Sequence, residues 1–367
     1  MGILQPIWDG TFVYREPVCF SADKDGRPTG GTLLYQPEEI LSVTSFDGSV
    51  FYQPVRDYTA NGRQLVRTEA SRIPYLERSV YCKPFTGVPE TAWVRLSGGK
   101  AYMEVVSDVY RWQTLVTYTH RDKWAGFQPK TCGESLPRSM EKLRAGGDFH
   151  LTLYGDSITA GWEASGCNER AIDMVTLGEY HVSLWHAPYQ PAWAELVTNA
   201  LQARYPQSNV IKTNRAAGGS TVQWGVEHAA ELVPPCKPDL IMLGFGMNSM
   251  QESAEDYRRA ILSIIRTIRK ECHDCEFVLV SPMIPNPEIK GFQNNQLPAQ
   301  QGVLYQIAAE LEGVCIAPVH SVFREMTARG KHYLELTGNC INHPNDFSVR
   351  VYAQTVLRTL GVDGNDG

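Results

Sequence analysis

The sequence has no apolar run approaching the roughly 20 residues of a membrane-spanning helix, so a membrane partner is not expected. It has no excess of positive charge either. Its 34 Lys and Arg stand against 40 Asp and Glu, a net charge of −6. A surface that neutralises nucleic-acid phosphates needs clustered Lys and Arg, so a nucleic-acid partner is not expected. Gly-x-x-x-x-Gly-Lys-Ser/Thr and Gly-x-Gly-x-x-Gly are both absent, which removes support for nucleotide binding. There is no His-Glu-x-x-His. Cys272-His273-Asp274-Cys275 has metal-site spacing but no second pair, and His181 and His186 lack a helical pattern to align them. No metal or other cofactor is called for. The Gly-x-Ser-x-Gly elbow is missing, which argues against an α/β-hydrolase.

The first residues, Met1-Gly2-Ile3-Leu4-Gln5, lack the basic start and apolar stretch of a signal peptide. The nine cysteines are odd in number and scattered, unlike a disulfide framework. Both features lead to an expectation of reduced thiols in a cytoplasm.

What is present is an ordinary globular balance: 43% hydrophobic, 20% charged and 10% aromatic over 367 residues. That length suggests two or three domains. Residues 1 to about 145 read as β. Short β-prone runs at 31–35, 40–46, 49–52, 64–68, 91–96 and 101–106 are punctuated by turn signals such as Asp47-Gly48 and Asn61-Gly62. Strands at that spacing suggest a β-sandwich. From about 148 the rhythm changes. Strands at 149–154, 209–213, 239–244, 276–281 and 314–318 alternate with helices at 191–204, 220–232, 254–270, 299–312 and 348–360. Such alternation implies a parallel sheet covered on both faces by helices, an α/β fold. The expected division is a β-sandwich over 1–145 and an α/β domain over 146–367, joined through the Gly- and Pro-rich stretch around 120–147.

Chemistry in such a sheet belongs at the carboxyl ends of the strands. The first strand ends in Gly155-Asp156-Ser157, with Ser157 placed where a helix should begin. A serine there is a nucleophile or simply an N-cap. The second ends in Asn214-Arg215-Ala216-Ala217-Gly218-Gly219, whose glycines let N–H groups approach a ligand or just make a tight turn. The third ends in Gly246-Met247-Asn248-Ser249, with an amide that can donate to an oxyanion or form a local turn. His343 precedes the last helix, where Asn345 or Asp346 would cap. Each signal is ambiguous alone. Together they supply nucleophile, backbone donor, amide donor and base, the inventory of acyl transfer.

Over roughly residues 148–360 these motifs resemble the SGNH (GDSL) hydrolase superfamily of esterases and lipases. The resemblance implies a flavodoxin-like sheet, Ser157 as nucleophile, an oxyanion hole of Ser157, Gly219 and Asn248, and His343 as base. One position departs from the pattern. The family usually has Asp three residues before the histidine, and here that residue is Cys340. A thiol is a poor substitute for a carboxylate that orients an imidazole. The expectation is therefore a Ser157–His343 dyad, its imidazole oriented by a backbone carbonyl or a distant group; Asp346 and Glu335 are alternative partners.

A β domain (jelly-roll-like) ahead of an SGNH domain is similar to carbohydrate esterase family 2. That similarity implies acetyl esters on sugars as substrate. A general short-chain esterase or lipase and a non-catalytic carbohydrate-binding scaffold are the alternatives. Three roles are open to the β domain: sugar binding, closure over the active edge, and homo-oligomerisation. The long connection at 162–190 carries aromatics suited to stacking on sugars, Trp162 and Trp185. Trp224 is a further candidate, for which core packing is the plainer reading.

Overall fold

A computed structural model describes residues 3–84, 101–103 and 109–362. The expected run at 91–96, and 104–106 of the next one, lie outside the described residues.

The N-terminal region is rich in antiparallel sheet. In chain order it holds β1 (Phe12–Ala22), β2 (Pro28–Thr29), β3 (Glu39–Ser45), β4 (Tyr58–Asn61), β5 (Gln64–Arg67), β6 (Tyr75–Leu76), helix α1 (Arg78–Tyr81), β7 (Cys82–Pro84), β8 (Ala101–Met103) and β9 (Gln113–Thr119). The main sheet runs β2-β1-β9-β3, with β6 added in parallel beside β1. β4 and β5 form a hairpin whose turn is Gly62, in the left-handed region at φ 57°. This architecture fits the sandwich-like expectation. Two expected strands shrink to single bridges, Thr32 with Gln64 and Phe51 with Thr44. The longest strand, β1, was not expected from the sequence. Pro17 and the charged Glu16 obscure it, because proline and charge ordinarily disfavour a strand interior. Here a register shift between Val13 and Glu16, with Arg15 at φ 48°, accommodates them. Glu16 to Ser21 are then buried on both faces, so no alternation is visible.

The C-terminal region begins with α2 (Pro137–Ala145) and β10 (Gly147–Gly155), followed by a hairpin of β11 (Gly166–Ile172) and β12 (Glu179–Trp185). Then come α3 (Trp193–Arg204), β13 (Ser208–Asn214), α4 (Val222–Leu232), β14 (Leu240–Gly244), α5 (Ala254–Arg269), β15 (Glu276–Val280), α6 (Leu297–Glu310), β16 (Val314–Ala317), α7 (Val319–Ala328) and α8 (Asp346–Leu360). The sheet order is β13-β10-β14-β15-β16, all parallel. Numbered along the chain this is the 2-1-3-4-5 flavodoxin-like order, whose topological switch point flanks the first strand. The carboxyl end of β10 is therefore where a ligand crevice belongs.

Side-chain alternation on these strands divides the core. Phe149, Leu151 and Leu153 of β10 pack on one side with α3 and α8. Tyr154, with Ile241 and Leu243 of β14, packs on the other with α4, α5 and α6. α5 shows how the pattern makes the helix. Ser253 accepts the Asp256 N–H at 3.1 Å as N-cap. Tyr257, Ile261, Ile264, Ile265 and Ile268 then recur at three- and four-residue spacing and are buried. The first core cluster also contains Val18, Phe20, Val43, Val116 and Tyr118 of the N-terminal sheet. The two regions thus share one apolar interior, joined where α8 packs against β1. No described helix is long and apolar enough to cross a membrane.

Candidate active site

β10 delivers Gly155, Asp156 and Ser157 to the sheet edge. A Cβ at position 155 would stand 2.3 Å from the Gly244 carbonyl oxygen and 2.3 Å from Thr159 Oγ1, so only glycine fits. Asp156 is buried. Its carboxylate accepts the Ile158 N–H at 3.0 Å and also the N–H groups of Thr159 and Met247. Burial pushes its pKa up to about 6 against those hydrogen bonds and the nearby His343. The helix expected at Ser157 does not form. Residues 157–163 make successive turns instead, with Trp162 N–H bonded to the Ser157 carbonyl at 3.1 Å. Gly161 at φ 93° and Glu163 at φ 69° explain this, since left-handed residues interrupt a right-handed helix.

The second and third loops are pinned to the first. Ala217 N–H and Ser220 Oγ both donate to the Gly155 carbonyl, at 2.9 and 3.1 Å. Gly219 has φ 79°. Among the described residues, the N–H groups of Ser157 and Gly219 donate no hydrogen bond. Asn248 is exposed, and its amide donates to the Ser220 carbonyl at 3.0 Å. The three expected donors therefore sit on interlocked loops at one edge.

His343 arrives on a loop braced from within. Asn339 Oδ1 accepts the N–H groups of Ile341, Asn342 and His343 at 2.9, 3.0 and 3.1 Å. Gly338 N–H closes the loop on the His343 carbonyl at 2.9 Å. The result is a distance of 2.8 Å between Ser157 Oγ and His343 Nε2. Ser157 is 5% and His343 9% exposed, so the pair is largely screened from water. Trp162 stands edge-on to the imidazole, with ring centroids 5.7 Å apart.

None of the carboxylates considered from the sequence faces the imidazole. Asp346 accepts Ser165 N–H at 2.8 Å and Ser165 Oγ at 2.7 Å, and the N-cap of α8 is Asn345. Glu335 accepts the N–H groups of Cys19 and Gly31, at 3.1 and 2.8 Å, and pairs with Lys331. Cys340, at φ 63°, is buried with Cys19, Leu76, Tyr81 and Leu334, and that burial pushes its thiol up. The side chain beside His343 Nδ1 is Glu163, 3.7 Å away. Glu163 belongs to the long connection at 162–190, whose sequence signal lies in its aromatics. It lies 180 positions from His343, and no spacing rule links the two.

The remaining tryptophans part company. Trp185 is 63% exposed at the end of β12, with Tyr189 at a centroid distance of 5.2 Å. Trp224 is buried on α4, packs near Tyr154, and donates its indole N–H to the Met174 carbonyl at 3.2 Å. It serves the core, which leaves no face for a ligand. The long connection expected at 162–190 contains the hairpin of β11 and β12 that bears Trp185. Its signal was present in Glu179-Tyr180-His181-Val182-Ser183-Leu184-Trp185, a strict alternation whose exposure alternates in step.

Residues 153–348, more than half of the chain, match the GDSL-like lipase/acylhydrolase family. The chain belongs to that family. The matched span contains Ser157, Gly219, Asn248 and His343. No curated protein matches the sequence. Among solved structures, a two-domain esterase active on acetylated mannans, co-crystallised with mannopentaose, is similar at TM-score 0.47 and 20% identity, over 65% of this chain and 56% of that one. The chain thus spans little more than half the length of that esterase. An α/β hydrolase from the metagenome of Lake Arreo, Spain, is similar at 0.46 and 19%, over 61% of this chain and 100% of that one. An acetylxylan esterase from Geobacillus stearothermophilus is similar at 0.46 and 19%, over 59% and 96%.

Proposed function

We propose that this acylhydrolase removes small acyl groups, acetyl above all, from carbohydrate esters through an acyl-enzyme on Ser157. The observation that carries the reading is the 2.8 Å contact between Ser157 Oγ and His343 Nε2. A hydroxyl at that distance can pass its proton to the imidazole as it attacks an ester carbonyl. The oxyanion that forms is held by the free N–H groups of Ser157 and Gly219 and by the Asn248 amide. Each such donor is worth about 3–4 kcal/mol of barrier, or roughly 10²–10³ in rate. His343 then returns its proton to the leaving alcohol, and water repeats the cycle on the acyl-enzyme. Stabilisation rests on loop N–H groups, because no helix starts at Ser157.

Two features support a sugar alcohol as leaving group. Trp162, part-exposed beside His343, offers an aromatic surface of the kind on which pyranose rings stack. The antiparallel sheet ahead of the catalytic sheet repeats the domain order of carbohydrate esterase family 2. The nine free thiols support a reducing compartment such as the cytoplasm.

The test is acetate release from acetylated manno- and xylo-oligosaccharides, compared with hydrolysis of p-nitrophenyl butyrate. The reading expects the sugar acetates to be preferred and Trp162→Ala to raise KM for them more than for p-nitrophenyl acetate. Preference for the butyrate would indicate a general short-chain esterase. Absence of turnover on every ester would indicate a binding scaffold, the alternative that the thiol at position 340 favours.

A further inference from the structure

We infer that Glu163 is the positioning carboxylate of His343, supplied by the turn after the nucleophile rather than by the histidine loop. The inference rests on the Ser157–His343 reading above. An imidazole that accepts a proton at Nε2 becomes a cation. Its other nitrogen then needs an acceptor that holds the ring and stabilises the charge. Among the described residues, His343 Nδ1 is buried and has no hydrogen-bond partner. Glu163 Oε1 is 3.7 Å from it, and the two side chains are 14% and 11% exposed. A closure of less than about 1 Å makes this a charge-assisted hydrogen bond, and catalytic hydrogen bonds commonly tighten when substrate binds.

The surroundings are shaped for that side chain. A Cβ at position 338 would lie 2.8 Å from Glu163 Cβ, so Gly338 opens the slot that Glu163 occupies. Gly338 also closes the His343 loop through its N–H, which ties slot and imidazole to one element. Glu163 itself adopts φ 69°, a conformation that a non-glycine residue holds only when its surroundings enforce it. The competing carboxylates are engaged elsewhere. Asp156 is taken by the N–H groups of Ile158, Thr159 and Met247, Asp346 by Ser165, and Glu335 by Cys19, Gly31 and Lys331. Cys340 at the family's usual position is thus not a lost function; the carboxylate stands at another point of the chain.

The experiment uses the full chain with p-nitrophenyl acetate. Glu163→Gln keeps the shape and removes the charge. We expect kcat to fall about 30-fold or more, within the loss of up to roughly 10⁴ seen when an orienting carboxylate is neutralised. KM should stay within about threefold and the melting temperature should not move. In Glu163→Ala, added formate should restore part of the lost kcat, an effect that a merely structural role would not give. A wild-type kcat in Glu163→Gln overturns the inference. If the variants fail to fold, a low-field ring N–H proton resonance of His343 in the wild-type protein, of the kind a carboxylate partner produces, still decides: its absence overturns the inference. Ser157→Ala separates the two levels. If it is inactive while Glu163→Gln is fully active, only Glu163 is misassigned; if Ser157→Ala is as active as wild type, the serine reading itself fails.

Discussion

The side chain of Gln113, on the last strand of the N-terminal sheet, accepts a 3.0 Å hydrogen bond from Asn345, two residues after His343. The same amide donates to the carbonyls of Leu334 and Thr337 at 2.7 and 2.8 Å. Asn345 in turn caps α8 by accepting the Ser348 N–H. One wholly buried glutamine of the β-rich region therefore fixes both ends of the loop that presents the imidazole. Gln113→Ala should leave buried donors and acceptors unpaired, at about 1–3 kcal/mol each. Thermal melting should show a loss of several degrees and kinetics a fall in kcat. An unchanged kcat would mean that the loop holds its shape without the N-terminal sheet.

Lys331 carries the second tie between the regions. Its ammonium is 3.0 Å from Glu16 of β1 and 3.2 Å from Glu335, and all three side chains are fully buried. Burial alone would lower the Lys331 pKa, but Glu335 and Glu16 outweigh it and raise it. Removing the cation strands two carboxylates. Lys331→Met should cost about 3–5 kcal/mol in denaturant titrations. A loss under 1 kcal/mol would show that water reaches the cluster.

Asp156 gives a pH signature. Its folded pKa of about 6 lies above the ordinary carboxylate value, chiefly through burial. The folded protein therefore holds this proton more tightly than the unfolded chain. The group's contribution to stability is complete below about pH 4 and is lost as pH rises through 6, a change of about 2–3 kcal/mol. Denaturation midpoints at pH 4, 5 and 7 should contain this component in the wild type and lack it in Asp156→Asn. Equal pH profiles for the two proteins would refute it.

The thiol at the family's aspartate position is a packing group in this fold. Cys340→Ala should lower stability by about 1 kcal/mol, through the small cavity left in its apolar cluster, and leave kcat within twofold. A large loss of kcat at unchanged melting temperature would give the thiol a chemical role.

How much of this was legible beforehand follows from what each feature depends on. The parallel sheet was readable because β14 and, after Glu276, β15 are wholly buried apolar runs and α5 repeats its isoleucines at helical spacing. The four site motifs were readable because each sits at a strand end or a helix start. β1 was hidden because Glu16 and Pro17 are tolerated only through partners distant in sequence, Lys331 among them. Helix α7 was missed because it follows β16 with only Pro318 between them. Glu163 could not be read at all, since its meaning comes from a fold that brings the turn after Ser157 against the His343 loop. Asn345 was legible as a cap of α8 but not as a partner of Gln113, and Gln113 itself was silent, a polar residue whose only signal is that contact.

The central claim is that Ser157, activated by His343, is the nucleophile. Intact-protein mass spectrometry after reaction with a fluorophosphonate tests it most directly. The account predicts a single adduct that maps to the peptide bearing Ser157, absent in Ser157→Ala and formed far more slowly in His343→Ala. A full-rate adduct in Ser157→Ala, or one at another residue, would contradict it.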